Sequence, residues 1–168
     1  MKRVVLDVGF DIRQCTGADA PQIAVLFFDT IHSVNLGDYT QEQVDAWAPP
    51  VSGCELTERI ARFSRSLETS LSYVADRKGM VIGFANIMET GYLDWMYVHK
   101  DYQRQGVASG LLKELEKQAI KLGLTQIWAD VSITAQPFFA RHEYQTVQKQ
   151  TVTVRNVSMN NFKMTKTL

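Results

Sequence analysis

Between residues 93 and 122 the chain passes from a strand through a glycine-bearing loop into an amphipathic helix, and this passage restricts its folds most. Leu93–Val98 is a run of strand length, apolar or aromatic except at Asp94. Gly106–Leu122 carries Ala108, Leu111, Leu112, Leu115, Ala119 and Leu122 as one stripe. Lys113, Glu114, Glu116, Lys117 and Lys121 face away from it, and Gly123 supplies the helix stop. A helix with one apolar face must bury that face on a sheet, so the chain belongs among folds that layer helices on strands.

The rest of the pattern extends this reading. Phe10–Cys15 reads as a short strand, and Thr16 with Asp19 opens a helix that carries Ile23, Leu26, Phe27, Ile31 and Val34. Thr40 and Gln43 form a capping-box pattern for a second helix with Val44 and Trp47, which stops before Pro49-Pro50. A third helix runs from Leu56 to about Leu67. The period then changes to that of strands at 72–76, 80–89 and 91–99, with a turn at Arg77-Lys78-Gly79. After the central helix come a strand at 126–132, a short helix at 134–142, and two strands at 144–154 and 157–165. The order β-α-α-α-β-β-β-α-β-α-β-β predicts an α/β mixed sheet with helices on both faces. Residues 1–168 are expected to form one domain.

Composition excludes several classes. Lys plus Arg equals Asp plus Glu at 18 each, so there is no global positive field and no nucleic-acid partner is expected. No apolar stretch approaches the ~20 residues that cross a bilayer, and residues 1–20 lack the apolar segment of a leader. Cys15 and Cys54 read as a reduced pair, so a cytoplasmic location is expected.

The chemistry concentrates in Gln103-Arg104-Gln105-Gly106-Val107-Ala108-Ser109. A helix N-terminus offers about four unsatisfied N–H groups and a partial positive charge. Gly106 and Ala108 keep the approach small, Arg104 adds a charge and Ser109 a hydroxyl, which suits a pyrophosphate. The alternative is an ordinary glycine-containing turn. The segment matches neither the GxGxxG nor the P-loop pattern.

This loop resembles the acyl-CoA signature of the Gcn5-related N-acetyltransferase (GNAT) family, roughly Q/R-x-x-G-x-G/A. Ala135-Gln-Pro-Phe-Phe-Ala-Arg-His-Glu-Tyr144 is similar to the family's late A-x-x-F-Y-x-x-x-G-F motif. The resemblance implies a GNAT-like acyl-CoA N-acyltransferase fold, whose central sheet is partly splayed, and acetyl transfer from acetyl-CoA to a primary amine of a small molecule or peptide. It implies that the backbone of Met96, Tyr97 and Val98 meets the pantetheine arm, and that the loop from Gln103 through Arg104, Gln105, Gly106, Val107, Ala108 and Ser109 holds the pyrophosphate. Ser132 stands where relatives often have an Asn on the cofactor. Phe139 stands where they have a Tyr that protonates the leaving thiolate, and Glu143 where they have Gly. No metal is expected, and the assembly is expected to be a monomer or homodimer. Two other readings stay open: a non-catalytic acyl-CoA-binding module, and an acetyltransferase of protein lysines or N-termini.

Asp94 is the candidate base. It is the only charge between Tyr92 and Val98, and a carboxylate inside a central strand must be paired or used. Strict alternation would group Tyr92, Asp94, Met96 and Val98 on one face, and Leu93, Trp95 and Tyr97 on the other. Weaker candidates each have a structural alternative. Glu89 could assist through a water, or be a solvated strand-end charge. His32 could approach the substrate region, or cap a helix. Tyr39, Trp47 and Tyr92 could line an acceptor pocket, or belong to the core. Arg59, Arg62 and Arg65 read as a solvated basic strip, and Met80, Met88 and Met96 as core filler.

Overall fold

A computed structural model describes residues 9–168. The strands are β1 (Asp11–Gln14), β2 (Leu71–Arg77), β3 (Met80–Ile87), β4 (Leu93–Val98), β5 (Gln126–Ser132), β6 (Gln145–Val154) and β7 (Val157–Thr167). The helices are α1 (Ala20–Ser33), α2 (Gln41–Trp47), α3 (Gly53–Glu68), α4 (Val107–Lys121) and α5 (Gln136–Arg141). This is the order expected from the sequence, with three short 3₁₀ turns added. The first eight positions of the segment read for a leader lie outside the described residues.

The local signals act as expected. Thr40 and Gln43 close a reciprocal box, Gln43 N–H to Thr40 Oγ1 at 3.2 Å and Thr40 N–H to Gln43 Oε1 at 2.9 Å. At the start of α1, the Thr16 N–H donates to Asp19 at 2.8 Å. Asp19 also receives Arg13 at 2.7 Å, and this guanidinium reaches on to Asp76 of β2. The Arg13 contact holds the Asp19 carboxyl down to about 2.

The strands form two antiparallel sheets, β1-β2-β3-β4 and β5-β7-β6. Among the described residues they meet at a single parallel bridge between Tyr92 and Trp128, where the Trp128 N–H donates to Gly91 O at 3.0 Å. Only glycine fits there: φ is +83°, and a Cβ would lie 2.5 Å from Gln126 O. Beyond the bridge β4 and β5 separate, which is the splay implied by the family resemblance.

Each face of the sheets carries its own core. Leu111, Leu112 and Leu115 of α4 pack on Ile82, Ala85 and Ile127. Ile23, Leu26 and Phe27 of α1 pack with Phe63 of α3 against Val74 and Phe84 on the opposite face. The methionine reading needs correction, because Met80 at the β3 start is exposed rather than core.

Glu143 follows α5 with φ +70°, so this position does need the left-handed backbone that the family's glycine supplies. A side chain there costs ~1–2 kcal/mol, and Lys166 returns little through a 3.6 Å contact to a largely exposed carboxylate. Glu143→Gly should therefore stabilise the protein by about 1 kcal/mol, raising Tm by about 2–4 °C in calorimetry. A lowered Tm would show that the Glu143 side chain matters more than its backbone strain.

Candidate active site

The site begins with an irregularity in β4. Ile87 opposes Leu93 and Asn86 opposes Trp95, so Asp94 has no partner across the ladder. This is a β-bulge, a device that re-aims a side chain. Asn86 is fully buried and supports it: Oδ1 accepts the Trp95 N–H at 2.8 Å, and Nδ2 donates to Ser70 Oγ at 3.0 Å. The extra residue breaks strict alternation. Leu93 lies in the same core as Met96 and Val98, not with Trp95 and Tyr97, which face the α1–α3 side.

Trp95 and His99 direct their N–H groups toward β3. By antiparallel alternation the polar groups of Met96 and Val98 point to the open edge facing β5. The Val98 carbonyl is already bonded there, accepting from Thr30 Oγ1 at 3.0 Å and Gln103 Nε2 at 2.6 Å. At Val98 only the N–H therefore remains for a strand-like ligand, and the Gln103 side chain works as a loop brace.

A cleft of about 520 Å³ occupies the splay. Met96, Tyr97, Val98, Gln103, Arg104, Gly106, Val107, Ala108, Ser109, Ser132 and Phe139 all line it. Gln105 does not; it is exposed and its amide donates to Asp101 O at 3.2 Å, tightening the loop from outside. Arg104 (φ +62°) and Gly106 (φ +83°) both take left-handed backbone. The first helical bond runs from Gly110 N–H to Gly106 O, so the Val107, Ala108 and Ser109 amides have no acceptor within α4. Nothing lies within 4 Å of a Cβ built on Gly106, so the cradle is open above it.

Hydroxyls expected at this cleft have partners of their own. Ser109 Oγ lies 3.1 Å from His142 Nε2, while His142 Nδ1 meets Phe138 O at 2.9 Å. With the proton on Nδ1, His142 accepts from Ser109 and ties α4 to α5. Ser132 Oγ accepts the Ala135 N–H at 3.1 Å, which leaves its own proton to donate. Phe139 is buried edge-on to Tyr144, with ring centroids 5.1 Å apart.

A second cavity of about 390 Å³ lies beneath α2 and the β6–β7 hairpin. Aromatic rings from Phe27, Trp47, Trp95 and Tyr97 form its walls, with Arg62, Asp94, Asp130 and Asn161 as polar groups. Trp47, Asp94, Tyr97, Asp130 and Ser132 line both spaces, so the two meet at Asp94. Tyr39 shapes this cavity by spanning two elements: its hydroxyl donates to Asn160 O at 2.7 Å and accepts from Ile133 N–H at 2.9 Å.

Asp94 is half-buried, and among the described residues no hydrogen-bond donor or ion-pair partner reaches it. Burial raises its carboxyl above the ordinary range, and the Arg62 charge partly opposes that rise. Other candidates have plainer roles. Glu89 is exposed and lines neither cavity. His32 stacks on Phe28 and bonds Ala48 O at 2.7 Å. Tyr92 packs on Trp128 and donates to Asp130 at 3.3 Å, outside both cavities. The basic strip on α3 is not uniformly solvated: Arg59 is buried, bonded to Pro49 O beside Phe27 and Phe28. Asp130, Asn161 and the supporting Asn86 escaped the sequence reading, because isolated polar residues on strands show no pattern.

A cleft between splayed strands, floored by a helix N-terminus, defines an N-acyltransferase fold of the GNAT type. The acetyltransferase (GNAT) domain family matches residues 35–167, and the chain belongs to that family. It is 33% identical over 153 residues to the uncharacterized N-acetyltransferase YafP of Escherichia coli (strain K12), covering 91% of this chain and 93% of that protein. A GCN5-related N-acetyltransferase from Rhodopseudomonas palustris superposes with a TM-score of 0.86 at 31% identity, over 95% of this chain and 96% of that one. An acetyltransferase from Salmonella typhimurium, solved with its cofactor acetyl-CoA, shares the fold at 17% identity, with a TM-score of 0.68 over 94% and 93% of the two chains.

Gly106→Glu should weaken CoA binding at least 100-fold in calorimetry, because it sets a carboxylate in the cradle at the positive helix end. Gly106→Ala carries the same backbone strain without the charge and should lose far less. Equal losses in the two variants would show that the loop is not an anion site.

Proposed function

We propose that the chain transfers the acetyl group of acetyl-CoA to a primary amine, with acetyl-CoA in the 520 Å³ cleft and the amine in the 390 Å³ cavity. The observation that carries this reading is the meeting of both spaces at one unpartnered carboxylate, Asp94. The aromatic walls of a 390 Å³ cavity suit a small amine. The free thiols of Cys15 and Cys54 fit a reducing cytoplasm.

In this reading the amine arrives as an ammonium. With a lysine-like pKa of ~10.4, under ~0.1% is free base at pH 7. Asp94 takes the proton, directly or through one water, and the freed lone pair attacks the thioester carbon. The C–N bond forms, the nitrogen gives up its second proton to solvent and the C–S bond breaks, while the Met96 N–H on the open edge of β4 faces the developing oxyanion. The sulfur leaves as a thiolate and Phe139 offers it no proton. A thiol pKa near ~8.5 makes that departure tolerable at neutral pH.

Asp94→Asn should lower kcat by about 10²–10⁴ at pH 7 with CoA affinity unchanged. The deficit should shrink as pH rises, because free amine accumulates without a base. In the wild type, burial lifts the Asp94 carboxyl, so its contribution is lost on acidification at a higher pH than a solvated carboxylate would require. Full activity of the variant at pH 7 would make Asp94 structural. Phe139→Tyr should change turnover less than about threefold. A rise above about tenfold at unchanged CoA affinity would show that thiolate protonation limits the wild type.

A further inference from the structure

We infer that the acceptor is a small zwitterion, a primary amine that also carries a carboxylate on an apolar or aromatic body; this rests on the acetyl-transfer reading above. Three charged residues line the 390 Å³ cavity, Arg62, Asp94 and Asp130, and Arg62 is ion-paired with neither carboxylate among the described residues. Arg62 lines it from α3 and Asp94 from β4, and neither forms an ion pair within 4.0 Å among the described residues. They nevertheless sense one another, since the Arg62 charge pulls the Asp94 carboxyl down against the effect of burial. Opposite charges held apart across a cavity suit a ligand with a charge at each end.

Neighbouring groups narrow the choice. Arg59 is committed to Pro49 O and to the Phe27 and Phe28 rings, and Arg65 lines neither cavity. Arg62 lies over the Phe63 ring but makes no hydrogen bond or ion pair among the described residues, so it is the α3 cation available to a ligand oxyanion, and guanidinium–carboxylate pairing is its strongest use. Asp130 already receives Tyr92 and, at 2.6 Å, Gln150, which leaves Asp94 to meet the ammonium. Asn161, whose buried Oδ1 has no hydrogen-bond partner, also lines this cavity. The rings of Phe27, Trp47, Trp95 and Tyr97 line the cavity and suit an apolar body.

The test offers each of the twenty amino acids and its carboxamide to the wild type with acetyl-CoA. Phenethylamine and the phosphonate analogue of phenylalanine complete the panel. CoA thiol release is recorded, together with binding in the CoA complex by tryptophan fluorescence. At least one free amino acid should exceed its amide by tenfold or more in kcat/KM. Arg62→Gln should remove that preference, chiefly through KM, whereas Arg65→Gln, with the same loss of charge, should keep it. Preference for the phosphonate over the carboxylate would overturn the carboxylate assignment. Transfer to amines with no carboxylate or Arg62 dependence would overturn the inference and keep acetyl transfer. Carboxylate-selective, Arg62-dependent binding without any transfer would keep the inference and overturn acetyl transfer. Absence of both binding and transfer would overturn the inference as well.

Discussion

Everything at the centre of this molecule depends on two sheets that touch at one bridge and then part. Gly91 makes the contact, because the Gln126 carbonyl approaches where any Cβ would stand. Past that point β4 and β5 leave their facing polar groups unpaired by each other, an arrangement that is costly in a buried sheet. The protein resolves it in two ways. Part of the edge is met internally, as at the Val98 carbonyl, which accepts from Thr30 and Gln103. The rest opens onto the cleft, where an extended ligand can complete the ladder as an added strand would. The N-terminus of α4 lies at the same cleft, so strand-like pairing and anion binding share one space.

The carboxylate at the junction depends on a second irregularity. The bulge places Asp94 between the two cavities, and the buried Asn86 amide replaces the ladder partner that Trp95 would otherwise lack. Without Asn86 a buried N–H would be unsatisfied, at a cost of ~1–3 kcal/mol, and the bulge would lose its support. The elevated carboxyl of Asp94 follows from that placement. Burial raises it, and Arg62 is far enough away to moderate the effect without forming a closed ion pair. A group in that state is suited to exchanging a proton with an amine.

Local chemistry was readable wherever spacing encodes it. The α4 stripe, the Thr40–Gln43 box and the strand-to-helix loop each act through residues close in sequence, so their geometry follows from helical and strand periods. The cleft candidates fall mostly between Met96 and Ser109, with Ser132 and Phe139 added by the family resemblance, and nearly all of them line one space. Gln105 is the exception, since one loop alternates its side chains between cleft and solvent. The faces of β4 were misassigned at Leu93, because a bulge changes the period and its cause, Asn86, lies on a neighbouring strand.

The sequence by itself determined the element order, the family motifs and the helix N-terminus that floors the cleft, because each depends on contacts within a few residues. Tertiary structure decided the charge relationships of the 390 Å³ cavity. Arg62, Asp94, Asp130 and Asn161 come from α3, β4, β5 and β7, and no local spacing relates them. It also separated Arg62 from Arg59, which share a helix and a residue type but differ in burial and partners. The distinction arises from packing: α3 turns Arg59 into the aromatic core beside Pro49 and leaves Arg62 at the cavity, a result fixed by contacts across the fold.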